Sequence, residues 1–284
     1  MKLITSLSEM QKYVNDLRAQ GKTIGFVPTM GFLHEGHLSL MRQARAENDI
    51  VIISIFVNPT QFGPQEDYDA YPRDLTRDCN LVMEISVDAV FAPSVREMYR
   101  EGYNTFVEVE GTLTQRLCGA SRPGHFRGVT TVVAKLFNLV KPHRAYFGQK
   151  DAQQLIVIQR MVNDLNFAIE IVPMPTIREH DGLAMSSRNK NLNKEERQSA
   201  LVLYKSLNLA MDMINTGERD AAKIRTKMQR LIETEKKAKI DYISLVDAHT
   251  LEELTTLTGE ILIALAVFIG NTRLIDNVRL MIDD

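Results

Sequence analysis

The chain has 284 residues, 44% hydrophobic and 25% charged, which suits a folded globular protein of one large or two ordinary domains. Its 34 basic and 36 acidic residues leave a net charge of -2, which excludes an overall electrostatic footprint for nucleic acid or an anionic membrane. Two cysteines, Cys79 and Cys118, cannot supply a four-ligand zinc site and read as thiols of a reducing compartment. The N-terminal stretch is interrupted by charges, so no signal peptide is expected, and the apolar run 261–269 is too short to span a bilayer. A cytoplasmic protein is the expectation.

The elements then follow in order. Residues 24–28 predict a short apolar strand running into Gly31, and 37–46 a helix. Residues 49–57, DIVIISIFV, are β-branched and nearly all apolar, the pattern of a strand buried on both faces of a parallel sheet. A helix over 74–85, a strand over 88–92 and an alternating strand over 105–109 come next. Residues 128–140 place Val129, Val132, Val133, Leu136 and Val140 on one helical face. A strand at 145–148, a helix at 152–165 and a strand at 169–172 complete a β-α alternation. The fold class predicted is α/β, a Rossmann-like open parallel sheet whose ligands sit beyond the carboxyl ends of its strands.

Beyond residue 177 the pattern changes to helices over 194–214 and 220–236, then strands over 242–246, 261–268 and 273–280. That order predicts a smaller α+β domain with an antiparallel sheet. Pro173 and Pro175 bracket Met174 and forbid a continuous helix, so the expected domains are 1–176 and 177–284.

The strongest motif is PTMGFLHEGH, residues 28–37, set between the first strand and the next helix. A helix N-terminus offers unpaired N–H groups and a positive dipole end, so a phosphate is welcome there. Gly36 leaves room for it, and the imidazoles of His34 and His37 can donate to oxygens on which charge develops. No GxGxxG and no GxxxxGK[ST] follows the strand, which excludes the usual dinucleotide loop and the P-loop.

Two further clusters have the same character. In GQKDAQQ, 148–154, Gly148 permits close backbone approach, Lys150 suits a phosphate, and Asp151 can accept a ribose hydroxyl or cap a helix. Gln154 lies one turn on. Met185-Ser186-Ser187-Arg188 resembles a degenerate KMSKS loop of nucleotidyl-transferring enzymes, with Ser187 where a second lysine is usual, so Arg188 and Lys150 take the cationic work. Gln61 closes the second buried strand with an amide that can both donate and accept. Arg122 and His125, in RPGHF, stand ahead of the apolar helix.

Six motifs in order, PTMGFLHEGH, FVNPTQF, YPRD, RPGHF, GQKDAQQ and DGLAMSSRN, resemble the pantothenate synthetase family. The resemblance implies ligation of pantoate to β-alanine through a pantoyl-adenylate, with release of pyrophosphate and then AMP. It implies ATP binding by Met30, Gly31, Phe32, Leu33, His34, Glu35, Gly36 and His37. Gly148, Gln149, Lys150, Asp151 and Ile177 would share that task with Met185, Ser186, Ser187 and Arg188. His37 would be the proton donor, with His34, Lys150 and Arg188 as catalytic partners. Gln61 would contact pantoate and β-alanine, Gln154 pantoate, and Arg122 and His125 would stand near the site. Magnesium on the phosphates, helped by Asp78, and a homodimer are also implied. Two polar stretches, 63–71 and 178–188, are expected to close over the reactive anhydride and keep water from it.

Overall fold

In the computed structural model, which describes residues 1–64 and 66–283, the expected parallel sheet is present. Gln65 in the first expected closing stretch, and Asp284 at the end of the expected second domain, lie outside the described residues. The strands are β1 (Lys2–Ile4), β2 (Ile24–Thr29), β3 (Ile50–Ile55), β4 (Ala89–Phe91), β5 (Arg144–Gly148) and β6 (Glu170–Met174), in the order β1-β4-β3-β2-β5-β6. Every neighbouring pair is parallel.

Alternation along the strands explains why they read as continuous apolar runs. Ile24 and Phe26 of β2 and Ile52 of β3 join a layer with Met10, Val14 and Leu17 of α1 (Leu7–Ala19). Val27, Val51 and Ile53 face the other way, against Leu40, Met41 and Ala44 of α2 (Glu35–Glu47) and Val82 of α3 (Leu75–Met83). Neither face of the sheet is wet. The short helix α4 (Val95–Met98) follows β4. From β2 the chain winds outward through β3 to β4, then returns to place β5 on the opposite side of β2. The strand order therefore reverses between β2 and β5, and a ligand crevice is expected beyond their carboxyl ends. Those ends lead into residues 30–37 and into Gly148.

Two compact units divide the chain: one is Met1–Val109, Arg122–Gln149 and Gln154–Pro175, the other Glu110–Ser121, Lys150–Gln153 and Thr176–Asp284. The second therefore recruits two segments from upstream of residue 176. Side-chain bonds give the reason. Gln153 Nε2 donates to the carbonyls of Leu113 and Arg116, each at 2.8 Å, and its Oε1 accepts the Cys118 N–H at 2.9 Å. One buried glutamine thus ties the helical turns α5 (Thr112–Gln115) and α6 (Cys118–Ser121) to the 150–153 segment, and Arg116 Nη1 joins them to the rest of the unit by donating to the Leu251 carbonyl at 2.8 Å. That unit also holds the antiparallel strands β7 (Ala238–Asp247), β8 (Gly259–Ile269) and β9 (Thr272–Ile282), in sequence order. Ile261, Ile263, Leu265, Val267 and Ile269 of β8 pack with the helical layer, while Leu262, Ala264 and Ala266 are buried on the opposite face.

Three local expectations are corrected. Residues 105–109 form no strand: the Val107 N–H goes to Thr131 Oγ1 at 3.0 Å, and Thr130 Oγ1 donates to its carbonyl at 2.5 Å. The backbone pairs with side chains of α7 (His125–Val140) instead of with a neighbouring strand. The helix expected over 194–214 is two, α9 (Lys194–Ser199) and α10 (Leu201–Asn215), meeting at Ala200; α8 (Ala152–Asp164) precedes them and α11 (Ala221–Ile232) follows. The helix after the first motif begins at Glu35, so His34 occupies its N-cap and His37 its third position. Among the described residues no helix is long and apolar enough to cross a membrane.

Candidate active site

The loop after β2 is shaped by its backbone. Gly31 (φ 83) and Phe32 (φ 51) are both left-handed, a costly conformation for phenylalanine that must be held from outside. Asp78 on α3 holds it: Oδ2 accepts the Phe32 N–H at 2.7 Å and Oδ1 the Leu33 N–H at 2.8 Å. Arg77 completes the brace, donating to the Leu33 carbonyl at 3.0 Å while its guanidinium lies 4.8 Å over the Phe32 ring. A Cβ on Gly31 would meet Ile55 Cγ2 at 2.9 Å and Asp78 Oδ2 at 3.1 Å, so only glycine suits this turn. Arg77 had no sequence signal, since a helical Arg-Asp pair ordinarily reads as solvated surface.

Burial pushes the Asp78 carboxyl above the usual carboxylate range, although the Leu33 and Phe32 N–H bonds and Arg77 oppose the shift. Both oxygens are already engaged, and among the described residues no group of three or more His, Cys, Asp or Glu side chains is placed to hold a metal. Asp78 therefore fits the task of shaping the loop better than that of ligating magnesium.

At the helix start the two histidines engage each other. The His34 N–H donates to His37 Nδ1 at 3.3 Å, and the ring centroids lie 4.1 Å apart. An accepting Nδ1 carries no proton, so the neutral His37 ring keeps its hydrogen on Nε2. The helix cap thereby selects the tautomer that can donate at the other end of the ring.

Gln61 sits in a 3₁₀ turn, Pro59–Gln61, just beyond β3. Its Nε2 reaches Met30 Sδ at 3.1 Å and its Oε1 accepts from Asn58 Nδ2 at 3.1 Å, which joins this turn to the first motif. Arg122 and His125 hold the same residue by its main chain. His125 Nδ1 donates to the Gln61 carbonyl at 2.8 Å, and Arg122 Nη2 donates to it at 3.3 Å. Arg122 also pairs with both oxygens of Glu66, at 2.8 and 2.5 Å. Burial pushes the Glu66 carboxyl up, but the Arg122 bonds outweigh that and leave it below its ordinary value. In this arrangement Arg122 and His125 position Gln61. Glu66 and Asn58 are participants the sequence reading missed.

The close approach of α7 to this turn depends on Gly128. A Cβ there would lie 2.2 Å from the Thr60 carbonyl oxygen and 2.6 Å from the Gln61 nitrogen, both backbone atoms that cannot swing aside. Gly128→Ala should therefore push the turn outward by about an ångström and cost roughly a hundredfold in turnover. Steady-state rates alongside a thermal melt check this; unchanged turnover would show that the Gln61 position is unimportant.

The remaining predicted residues divide between the units. Gly148, at the end of β5, Gln149 and the half-buried Gln154 belong to the first. Lys150, Asp151, Ile177 and Met185 to Arg188 belong to the second. Lys150 Nζ lies 3.9 Å from Asp151 Oδ1, with the lysine side chain only 19% exposed. Much of the polar stretch 178–188 is a hairpin: the Met185 N–H donates to the Ile177 carbonyl at 3.0 Å and the Glu179 N–H to the Leu183 carbonyl at 2.8 Å. At its tip a Cβ on Gly182 would strike the Tyr204 ring at 2.1 Å. Ser186 then caps a 3₁₀ turn, Ser187–Asn191, by accepting the Arg188 N–H at 3.2 Å.

A family profile described as "Pantoate-beta-alanine ligase" matches residues 2–279. The chain belongs to the pantoate-β-alanine ligase family. A pantothenate synthetase of Moorella thermoacetica is 60% identical over 284 residues, the whole of both chains. One of Carboxydothermus hydrogenoformans is 54% identical over 283 residues, again with full coverage of both. The crystal structure of pantothenate synthetase from Thermus thermophilus superposes with a TM-score of 0.94 at 47% identity, covering 98% of this chain and 99% of that one. A pantoate-β-alanine ligase structure from Francisella tularensis, complexed with "Beta-gamma ATP and Beta-alanine", gives 0.80 at 37% identity, covering 98% and 97%. Membership of this family makes the chain a ligase, and its Rossmann-like sheet is the family's.

Proposed function

We propose that the chain condenses (R)-pantoate with β-alanine, driven by ATP, giving pantothenate, AMP and pyrophosphate. In the first step a pantoate carboxylate oxygen attacks the α-phosphorus of ATP and the bond to pyrophosphate breaks. In the second the β-alanine amine attacks the acyl carbon of pantoyl-adenylate and AMP leaves. The observation that carries this reading is the capped loop 30–37 at the reversal point of a parallel sheet, with His37 Nδ1 taken up by the His34 N–H so that Nε2 is the ring nitrogen left to donate.

The chemistry asks for two services. A carboxylate and a triphosphate repel, so cationic groups and donors must gather around the phosphates. His34 and His37 from the first unit, with Lys150 and Arg188 from the second, are assigned to that. The two substrates must also be held in line, which falls to Gln61 for both and to Gln154 for pantoate. Met30 to Leu33, Glu35, Gly36, Gly148, Gln149, Asp151, Ile177 and Met185 to Ser187 would line the nucleotide. A magnesium ion would ride on the nucleotide phosphates, which requires few protein ligands, so no step is assigned to a protein-held ion. The second unit would act as the lid, a homodimer would be the working assembly, and the cytoplasm its place.

ATP–pyrophosphate exchange is the test. Exchange should require pantoate, and AMP should appear only once β-alanine is added. With ATP and pantoate bound, residues 178–188 should gain protection from hydrogen exchange. Exchange without pantoate would instead indicate an adenylyltransferase with another acceptor, and ATP binding without exchange a nucleotide sensor.

A further inference from the structure

The two candidate phosphate segments of the second unit both end on one edge strand, and on two adjacent residues of it. Asn277 of β9 is 9% exposed, and its Nδ2 donates to the main-chain carbonyl of Lys150 at 2.8 Å. Asp276, 2% exposed, grips Arg178 with both oxygens, at 2.7 and 2.9 Å. Arg178 belongs to the hairpin that carries Met185: it bridges to Ala184, donates to the Gly182 carbonyl at 3.0 Å and lies 4.2 Å over the Tyr204 ring. Successive strand residues point to opposite faces, so one strand reaches the lysine turn on one side and the hairpin on the other. The Asn277 N–H closes the link by donating to Asp276 Oδ1 at 2.8 Å.

Bidentate ion pairs and amide–carbonyl bonds are directional, so this arrangement sets position as well as adding cohesion. A lysine is a long flexible arm, and fixing its root limits where its ammonium can go. We propose that Asn277 is a positioning residue for Lys150, and that the Asp276–Asn277 pair holds the lysine turn and the hairpin leading into Met185–Arg188 in register as one phosphate clamp. This rests on the assignment of Lys150 to the ATP phosphates.

The test is a double-mutant cycle on pantoate-dependent ATP–pyrophosphate exchange, using Asn277→Asp, Lys150→Met and the double variant. At pH 8 Asn277→Asp keeps the shape of the side chain and replaces its donor with an acceptor facing the Lys150 carbonyl. Its exchange kcat should fall about 10- to 100-fold with the KM for pantoate unchanged. In the Lys150→Met background the same change should alter the rate by less than about threefold, because the group it positions is gone. Equal losses in both backgrounds, or a near-normal Asn277→Asp, would overturn the proposal. Asn277→Ser, with a hydroxyl donor on a shorter arm, serves if the aspartate variant does not fold, and the same two outcomes decide. Should Lys150→Met itself exchange normally, the assignment of Lys150 fails first, which is a distinguishable result.

Discussion

Replacing His37 with asparagine should cost about a thousandfold in pantoyl-adenylate formation, within the range for loss of a hydrogen-bond donor aimed at developing charge, while the melting temperature stays near wild type. The expectation follows from which end of the ring does which job. Nδ1 accepts the His34 N–H at 3.3 Å and so belongs to the helix cap. Asparagine places its Oδ1 near that position and can keep the cap, but it has nothing where Nε2 stood. Glutamine does the reverse, carrying an amide N–H out toward the Nε2 position and losing the cap acceptor. His37→Gln should therefore retain more exchange activity and melt slightly lower, by an amount typical of a weakened cap, about 1 kcal/mol. Exchange rates and melting curves on the two variants separate the roles. If both turn over near the wild-type rate, His37 has no part in the chemistry.

Asp78→Asn should damage function somewhat less, and should act from behind the loop. An amide can accept one of the two backbone N–H groups that the carboxylate now serves, and it turns a donor toward the other. One buried N–H left unpaired costs about 1–3 kcal/mol, and the left-handed Phe32 loses the contact that offsets its strain. A melting temperature lower by roughly 5–10 °C and exchange reduced by about a hundredfold are expected. Magnesium titration decides the role. A residue that shapes the loop leaves the magnesium dependence of the residual activity where it was. A sharply increased requirement would show that Asp78 touches the ion after all.

Several parts of the site are legible in the sequence itself. The strand 49–57 was readable because a sheet covered on both faces needs no alternation, and Ile52 and Ile53 do face opposite layers. The HEGH block was readable because glycine and two imidazoles at a strand-to-helix junction suit an anion and little else. The glutamine at the end of β3 was legible as a polar residue at a strand terminus, but its supports were not. Glu66, Asn58 and Arg77 are ordinary polar residues in sequence, and only their partners distinguish them. Residues 105–109 misled for the same reason: their alternation is real, yet the groups that satisfy Val107 sit on a helix.

Local covalent and steric facts travel with the sequence, so it determined the α/β alternation, the later antiparallel sheet and the run of motifs on which the family rests. The left-handed turn at Gly31 and the capture of residues 110–121 and 150–153 by the second unit were decided by tertiary structure alone. Each depends on bonds between groups tens to more than a hundred residues apart. Propensity and periodicity carry information only over the length of one element, whereas a buried donor must find its acceptor wherever the fold has put one.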